Sequence, residues 1–245
     1  MNIREIILDI LFPPLCFGCR KYNKNYLCEN CWTQIEINSS FFCPTCQNRI
    51  PIYFNQQNLS TRPPCHPDAQ YLLAPAADYR NKVIQNLIQE LKFNRLTSAI
   101  GPIKKIIDEY LLQITRGESQ IYFLENFIII PIPISTKRLR ERGFNQAELI
   151  ADHISKKINL PILRSVILKP KDNKKQSELK KWEERKSNVE NCFSVSKPEL
   201  IRSKNIILVD DIFTSGATIK EAVKVLKKSG VRKIIAFTLA RARSA

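Results

Sequence analysis

The stretch "NIILVDDIFTSGATIKEA" at residues 205–222 sets two carboxylates, Asp210 and Asp211, at the end of an apolar run. A string of small and hydroxylated residues follows: Thr214, Ser215, Gly216, Ala217 and Thr218. Adjacent carboxylates at the end of a buried strand are costly unless cations or hydrogen-bond donors meet them. Their oxygens suit sugar hydroxyls or Mg²⁺. A turn that leads into a helix exposes backbone N–H groups at the positive end of the helix dipole, which makes a seat for phosphate. Gly216 lets the backbone approach closely, and the hydroxyls of Thr214, Ser215 and Thr218 add donors. Two other readings share part of this pattern. A Walker B strand would need a GxxxxGK[ST] loop, and none of the six glycines is followed by Lys. A helix with a hydroxylated cap accounts for the loop but not for the doubled aspartate.

A second set of reactive side chains lies at the front of the chain. Seven of the eight cysteines precede residue 70, as Cys16-x2-Cys19, Cys28-x2-Cys31, Cys43-x2-Cys46 and then Cys65. A CxxC pair forms a knuckle that aims two thiolates at one point, and two knuckles complete a tetrahedron. Zn²⁺ is therefore expected on Cys16, Cys19, Cys28 and Cys31. A disulfide framework is the alternative, and the odd number of cysteines in this segment counts against it. A second zinc would use Cys43, Cys46 and Cys65, with the fourth ligand from "PPCHPDA". Asp68 stands where a fourth CxxC would have its second cysteine, and His66 is the other candidate. So short a segment buries little apolar surface and folds with its metal. Nothing in it reads as catalytic.

The net charge is +16, and +8 of it lies in residues 137–186, where 15 Lys/Arg face 7 Asp/Glu. Such a field favours a polyanion, either nucleic acid or a multiply phosphorylated small molecule. A solvated basic face is the plainer account of any one helix there. Hydrophobic residues make up 44% of the chain, so a core is available. No apolar run approaches the roughly 20 residues that span a bilayer. The start of the chain lacks a signal-peptide pattern, and a soluble cytoplasmic protein is expected.

Several elements must position these residues. Val83, Ile84, Leu87, Ile88 and Leu91 follow the helical period. A second helix is expected over "TSAIGPIKKIIDEYLLQI", capped by Thr97 or Ser98. "NFIIIPIPI", "NIILVD" and "VRKIIAFTLARA" read as buried strands. "GFNQAELIADHISKKI" and "ATIKEAVKVLKKSG" read as helices, the latter closed by Gly230. Apolar strands alternating with helices make an α/β fold with a parallel sheet covered on both faces. Ligands in such sheets sit beyond the carboxyl ends of the strands, where Asp210 and "STKRLRERGFNQ" both fall.

The string at 205–222 resembles the signature of type I phosphoribosyltransferases that binds phosphoribosyl pyrophosphate (PRPP). The paired CxxC motifs, "LIQELKF", "PIPISTKRLRERGFNQAELIA" and "KKQSELKKWEERKSNVENCF" extend the resemblance to the ComF (competence protein F-like) family over nearly the whole chain. The resemblance implies a Cys-rich zinc-finger-like module at 1–70 and a phosphoribosyltransferase-like domain at 71–245. It implies that Asp210 and Asp211 hold the ribose hydroxyls, that residues 214–218 cradle the 5′-phosphate, and that Ser135, Thr136 and Lys137 face the pyrophosphate. Arg138, Arg140 and Arg142 would supply compensating charge, and Mg²⁺ would bridge pyrophosphate and ribose oxygens. Residues 171–186 would form a mobile cover.

The family also implies DNA uptake in natural transformation, with single-stranded DNA and a helicase or recombination-mediator partner. Arg138, Arg140, Arg142, Lys174, Lys175, Lys180 and Lys181 are the candidates for nucleic-acid contact. The alternative is a working phosphoribosyltransferase that transfers ribose 5-phosphate to a nitrogen acceptor. No general base stands out for that reaction: His153 reads as structural, as does the lone Cys192. Met1 is followed by Asn2, so the N-terminal cysteine of a glutamine-hydrolysing half is missing.

Overall fold

The structure is a computed structural model and describes residues 13–50, 63–93, 97–115, 124, 126–169 and 192–242. The run from Asn205 to Val209 is buried at every position, so it must pack on both faces, and it forms the first five residues of a long strand. In chain order, the described elements begin with α1 (Glu29–Trp32), β1 (Phe41–Phe42), β2 (Arg49–Ile50), β3 (Leu72–Asp78), α2 (Lys82–Phe93), α3 (Ile100–Ile114) and β4 (Phe127–Pro131). They continue with α4 (Thr136–Arg142), α5 (Gln146–Ile158), β5 (Ile167–Leu168), β6 (Ser194–Val195), β7 (Asn205–Phe213), α6 (Ala217–Lys228) and β8 (Lys233–Arg241).

Six strands form one sheet in the order β2-β1-β3-β8-β7-β4. The four long ones are parallel, as the alternation of apolar strands and helices requires. β1 and β2 form an antiparallel edge, with Phe42 paired to Leu73 of β3. The short stretch around Ile162 extends the opposite edge by a parallel bridge to Ile129. β5 and β6 pair antiparallel as a separate two-stranded ribbon.

Two apolar clusters cover the sheet. Ile207 and Val209 of β7 pack with Leu87 and Leu91 of α2, Ile103 and Tyr110 of α3, and Ile150 and Ile154 of α5. Ile206 and Leu208 face the other way, against Ile219 and Val223 of α6 and against Val166, Ile167 and Phe193 of the ribbon. This alternation is the period-2 geometry of a strand buried on both faces.

Helix ends follow their local chemistry. The Asn81 side chain accepts from the amides of Val83 and Ile84, opening α2. Gly230 takes φ 85° just past α6, the left-handed position where a side chain would be strained. The expected cap of α3 is not formed: a 3-10 turn over Thr97–Ala99 precedes it, and Ala99 occupies the cap position without a side-chain bond. Among the described residues no helix is long and apolar enough to cross a membrane.

Candidate ligand site and metal centres

β4 and β7 are neighbours, but the chain leaves them toward opposite faces of the sheet. After β4 it runs through α4 to α5, whose Ile150 and Ile154 pack in the first cluster. After β7 it enters α6, which packs in the second. A crevice must open between strand ends that diverge in this way, and it is where ligands bind in open α/β sheets. Asp210 and Asp211 stand at this point on one side, and residues 135–146 on the other.

The strand does not stop at Asp210. It continues through Phe213, with Asp210 opposite Thr238 and Phe213 opposite Arg241 of β8. Both aspartates are therefore strand residues, and their side chains are aimed at opposite faces. Asp211, only 7% exposed, turns to the α2 face. There Lys92 Nζ lies 2.8 Å from its Oδ2. Arg142 is half-buried on the same side and feels the charge of Asp211. Burial nevertheless pushes the Arg142 guanidinium below its usual value, with Asp211 opposing that shift. Arg142 Nη1 also donates to Gln146 Oε1 at 3.0 Å, and Gln146 Nε2 is 3.4 Å from the Leu91 carbonyl.

Asp210 accepts from the Asp211 amide at 2.8 Å, and the positive charges of Lys92 and Lys169 act on it. Burial first, then the charge of Asp211, pushes its carboxyl up to about 7. Lys169 lies at the end of β5, with its ammonium 5.2 Å from the Phe193 ring centre.

The turn after β7 is shaped by Gly216, which has φ 73°. A Cβ there would lie 2.7 Å from the Phe213 ring, so neither the conformation nor the space admits a side chain. Gly216 thereby sets the N-terminus of the twelve-residue α6, and Thr214, Ser215, Ala217 and Thr218 surround that end half-buried.

Ser135, Thr136 and Lys137, expected to face the pyrophosphate, stand at the start of a helix. Ser135 is buried and caps α4, its Oγ 3.4 Å from the Arg138 amide, while Thr136 and Lys137 are exposed in the first turn. The cap is a better use of the Ser135 hydroxyl than an open loop, because it meets an amide that has no partner within the helix. Asn145 caps α5 and holds the Ile132 carbonyl at 3.1 Å, tying the end of β4 to the start of α5. Arg138 is half-buried and Arg140 exposed, whereas Arg142 feels the charges of both Asp211 and Asp210. Lys174, Lys175, Lys180 and Lys181 lie outside the described residues. His153 sits on the α3–α5 contact, 2.8 Å from Asp108, and Cys192 is buried among apolar side chains, so both are structural.

The cysteines gather into two clusters. Cys16, Cys19, Cys28 and Cys31 have all their sulfurs within 4.8 Å of one another, and the Cys16–Cys28 and Cys19–Cys28 separations are both 3.7 Å. A Zn–S bond of roughly 2.3 Å gives a tetrahedral edge of about 3.8 Å, whereas a disulfide would need roughly 2.05 Å. Burial would raise the Cys16 thiol, but hydrogen bonds led by the Cys28 amide outweigh it and bring it down to about 6. Burial, with hydrogen bonds to the neighbouring thiols, pushes Cys31 up to about 12. Four sulfurs this close cannot all ionise without a cation among them. The donor set fits Zn²⁺.

The second cluster is Cys43, Cys46, Cys65 and His66. His66 Nδ1 is 3.4 Å from Cys43 Sγ, and Cys46 and Cys65 are 3.5 Å apart. Asp68 is not in the group, which corrects the ligand expected from spacing. The turn at 63–66 brings the imidazole to the sulfurs, and imidazole is the usual partner of three thiolates at a structural zinc.

The first knuckle is fastened to α2. Asn86 Nδ2 donates to the Phe17 carbonyl at 2.8 Å, and Arg20 pairs with the buried Glu90 at 2.9 Å. Gly18 fits so tightly that a Cβ would lie 2.5 Å from Cys31 Sγ and 3.2 Å from Val83 Cγ2. The second knuckle carries β1 and β2 and walls an open cleft of about 450 Å³ with Phe42, Gln47, Arg49 and Arg241. Arg241 is buried there, 3.9 Å over the Phe42 ring and bonded to the Gln47 carbonyl.

Residues 99–245 match the model of the phosphoribosyl transferase domain. The chain belongs to this family. Its phosphoribosyl transferase domain is preceded by a match to the double zinc ribbon domain at residues 7–66, in agreement with the two ligand clusters. The chain is 29% identical to "Competence protein F" of Haemophilus influenzae over 233 residues, which cover 93% of this chain and 96% of that protein. It is 27% identical to "Competence protein ComFC" of Bacillus subtilis over 217 residues, 88% and 84% of the two chains. It is 24% identical to "DNA utilization protein YhgH" of Escherichia coli K12 over 169 residues, 69% and 71%. The ComF-like, type I phosphoribosyltransferase fold with a zinc-binding front is thereby established.

Sequence reasoning singled out the two aspartates and the turn after them but not Lys92. Its signal was available in "LIQELKF": the cation stands one position after the last residue of the apolar stripe, at the helix end.

Two outcomes are expected. Elemental analysis should find two zinc ions per chain, one in His66→Ala and two in Asp68→Ala. For Asp210, the folded chain holds its proton between about pH 4 and about 7 while the unfolded chain does not, so folding stability falls as pH rises through that window. Asp210→Asn should remove this loss, leaving the melting temperature unchanged at pH 4 and raising it by about 2–4 °C or more at pH 8.

Proposed function

We propose that this chain binds PRPP with Mg²⁺ in the crevice between β4 and β7 and acts in DNA uptake and natural transformation. The observation that carries the reading is the joint placement of the Asp210–Asp211 pair and the 214–218 turn at the head of α6. That arrangement offers carboxylates to two vicinal hydroxyls and amides to one phosphate, a spacing of functions that ribose 5-phosphate matches. Ser135, Thr136, Lys137 and Arg138 would lie toward the pyrophosphate, and Arg142 toward its negative charge.

Mg²⁺ fits this donor set. It takes one or two carboxylates plus substrate oxygens, and Asp210 is the carboxylate without a lysine in its ion pair among the described residues. Bound there, Mg²⁺ would neutralise pyrophosphate as a leaving group.

The names of the similar proteins, which speak of competence and DNA utilization, support the cellular role. The charge of +16 supports a polyanion partner. Arg140 is exposed and Arg138 half-buried on the same short helix at the mouth of the crevice, so phosphate of single-stranded DNA is a further proposed contact for both, and a helicase or recombination mediator is the proposed protein partner. The cytoplasm is the proposed location. The boundary near residue 70 is kept as the division between the zinc module and the ligand-binding domain.

Transfer of ribose 5-phosphate to a nitrogen acceptor is the second reading, favoured by the intact aspartate pair and turn. It lacks a general base in the crevice among the described residues, since His153 pairs with Asp108 on α3.

Titration of PRPP with Mg²⁺ should show saturable binding that Asp210→Asn/Asp211→Asn weakens by at least about tenfold, equivalent to roughly 1.4 kcal/mol. Equal affinity would remove the site assignment. Release of pyrophosphate on adding candidate amines would favour the enzyme. Single-stranded DNA binding should weaken steeply with salt, and Arg138→Ala/Arg140→Ala should reduce the log–log slope by about 1.4. A flat salt profile would count against the DNA role.

A further inference from the structure

α2 connects the two functional ends of the molecule. Val83, Asn86 and Glu90 fall at i, i+3 and i+7, a single stripe along the helix. Each meets the first knuckle over residues 17–20: Val83 packs at Gly18, Asn86 holds the Phe17 carbonyl, and Glu90 pairs with Arg20. Glu90 is 6% exposed, so this ion pair is shielded on one side and its loss is felt. The turn that follows delivers two contacts to the ligand crevice: Leu91 gives its carbonyl to Gln146, and Lys92 gives its ammonium to Asp211.

A lysine tip is held in place only as well as the backbone that carries it. The lysine side chain is long and rotamer-rich, and an ordered 2.8 Å pair needs a fixed helix end. The apolar side of α2 packs on the sheet through Ile84, Leu87 and Leu91, which limits tilt away from the core. Sliding and rotation along the axis are restrained by the stripe on the knuckle. The knuckle is itself ordered by its four thiolates and their metal.

We infer that Lys92 is a positioning residue for Asp211, and that the first zinc knuckle sets Lys92 in place through α2, so that the state of this knuckle governs affinity for the ribose ligand at a site distant from it in sequence. This rests on the reading of Asp210 and Asp211 as the ribose-binding pair. Lys92 contributes by orienting and neutralising a carboxylate that otherwise stands beside a second one. Arg142 acts on the same carboxylate, with its Nη1 engaged by Gln146, while Lys92 makes the 2.8 Å ion pair to Asp211. The knuckle is thereby a regulatory element: metal loss or thiol oxidation there would loosen α2 and weaken the distant site without touching any ligand-binding atom.

The test is a mutant cycle on the full chain, with PRPP and Mg²⁺ titrated by calorimetry into wild type, Arg20→Ala/Asn86→Ala, Lys92→Met and the triple variant. The clamp variant should lose about tenfold in affinity in the Lys92 background and less than about twofold in the Lys92→Met background. Lys92→Arg should retain more affinity than Lys92→Met, which a purely structural role would not require. Zinc content and melting temperature are measured on every variant. If the double clamp variant does not fold, Asn86→Ala alone, which removes one hydrogen bond, takes its place in the cycle. Clamp losses that are equal in both backgrounds, or absent, would overturn the coupling while leaving the site intact. A wild type that binds no PRPP would instead remove the site reading, and this inference with it.

Discussion

Everything near the ligand crevice follows from the problem of two neighbouring carboxylates at the end of a buried strand. The pleat separates them, sending Asp210 and Asp211 to opposite faces, but their charges still act on each other through a region with little water. The fold answers with cations from separate elements: Lys92 from α2 and Arg142 from α4 beside Asp211, and Lys169 from the ribbon acting on Asp210. Each cation comes from a part of the chain distant in sequence. The balance is therefore a property of the tertiary structure, and it exists only when α2, α4 and β5 are all docked. It is also incomplete, because Asp210 keeps a raised carboxyl. Sites that bind charged or polar ligands commonly hold such an uncompensated group, at some cost to stability.

The zinc clusters solve a different deficit. The first 50 residues contribute only α1, β1 and β2 as regular elements among the described residues, and such short pieces cannot close a core by themselves. Metal ligation fixes the two knuckles locally. They then bury Phe17, Leu27, Cys31 and Phe41 in the same cluster as α2 and α3. The second knuckle lends β1 and β2 to the main sheet, covering an edge at β3 that would otherwise be open to strand addition. Module and domain are thus distinct in how they are held, one by thiolate–metal bonds and one by apolar burial, yet they share a core and a sheet.

Much of this was legible in the sequence, for reasons tied to particular residues. β4, β7 and β8 announce themselves by Ile and Val runs, and α5 and α6 by clear periodicity and end signals. β3 did not, because "LLAPAAD" has no β-branched residue and contains Pro75, which central strands usually exclude. Its side chains are small because α3 packs closely over it, with Ala74, Ala76 and Ala77 in the cluster that includes Tyr110. The aspartate pair and Gly216 were readable because their roles are local: a strand end and a positive φ. The Lys92–Asp211 pair was not, since nothing in either segment names its partner 119 residues away. The choice of His66 over Asp68 likewise depends on how a turn folds back, which spacing alone leaves open. The segment "TKRLRER" gave no helix signal because seven residues with none buried offer no apolar stripe to detect, and it is helical through its caps, Ser135 and Gly143.

The distribution of charge ties these observations to what the molecule meets. α4 is a short exposed helix whose positions 137, 138, 140 and 142 are cationic, and Arg142 among them acts on the aspartates. It serves the carboxylates, so it is neutralised in place. The others have no comparable acidic neighbour on their own helix except Glu141, and they raise the potential at the mouth of the crevice. An anionic ligand approaching this mouth would meet attraction from outside, and of the two carboxylates that would repel it Asp211 is already paired with Lys92 and beside Arg142. The same outward potential extends to any longer polyanion lying across the mouth. Small ligand and polymer would therefore share one electrostatic surface, and each would lower the field seen by the other, which gives the two a physical reason to be coupled even where they share no contact residue.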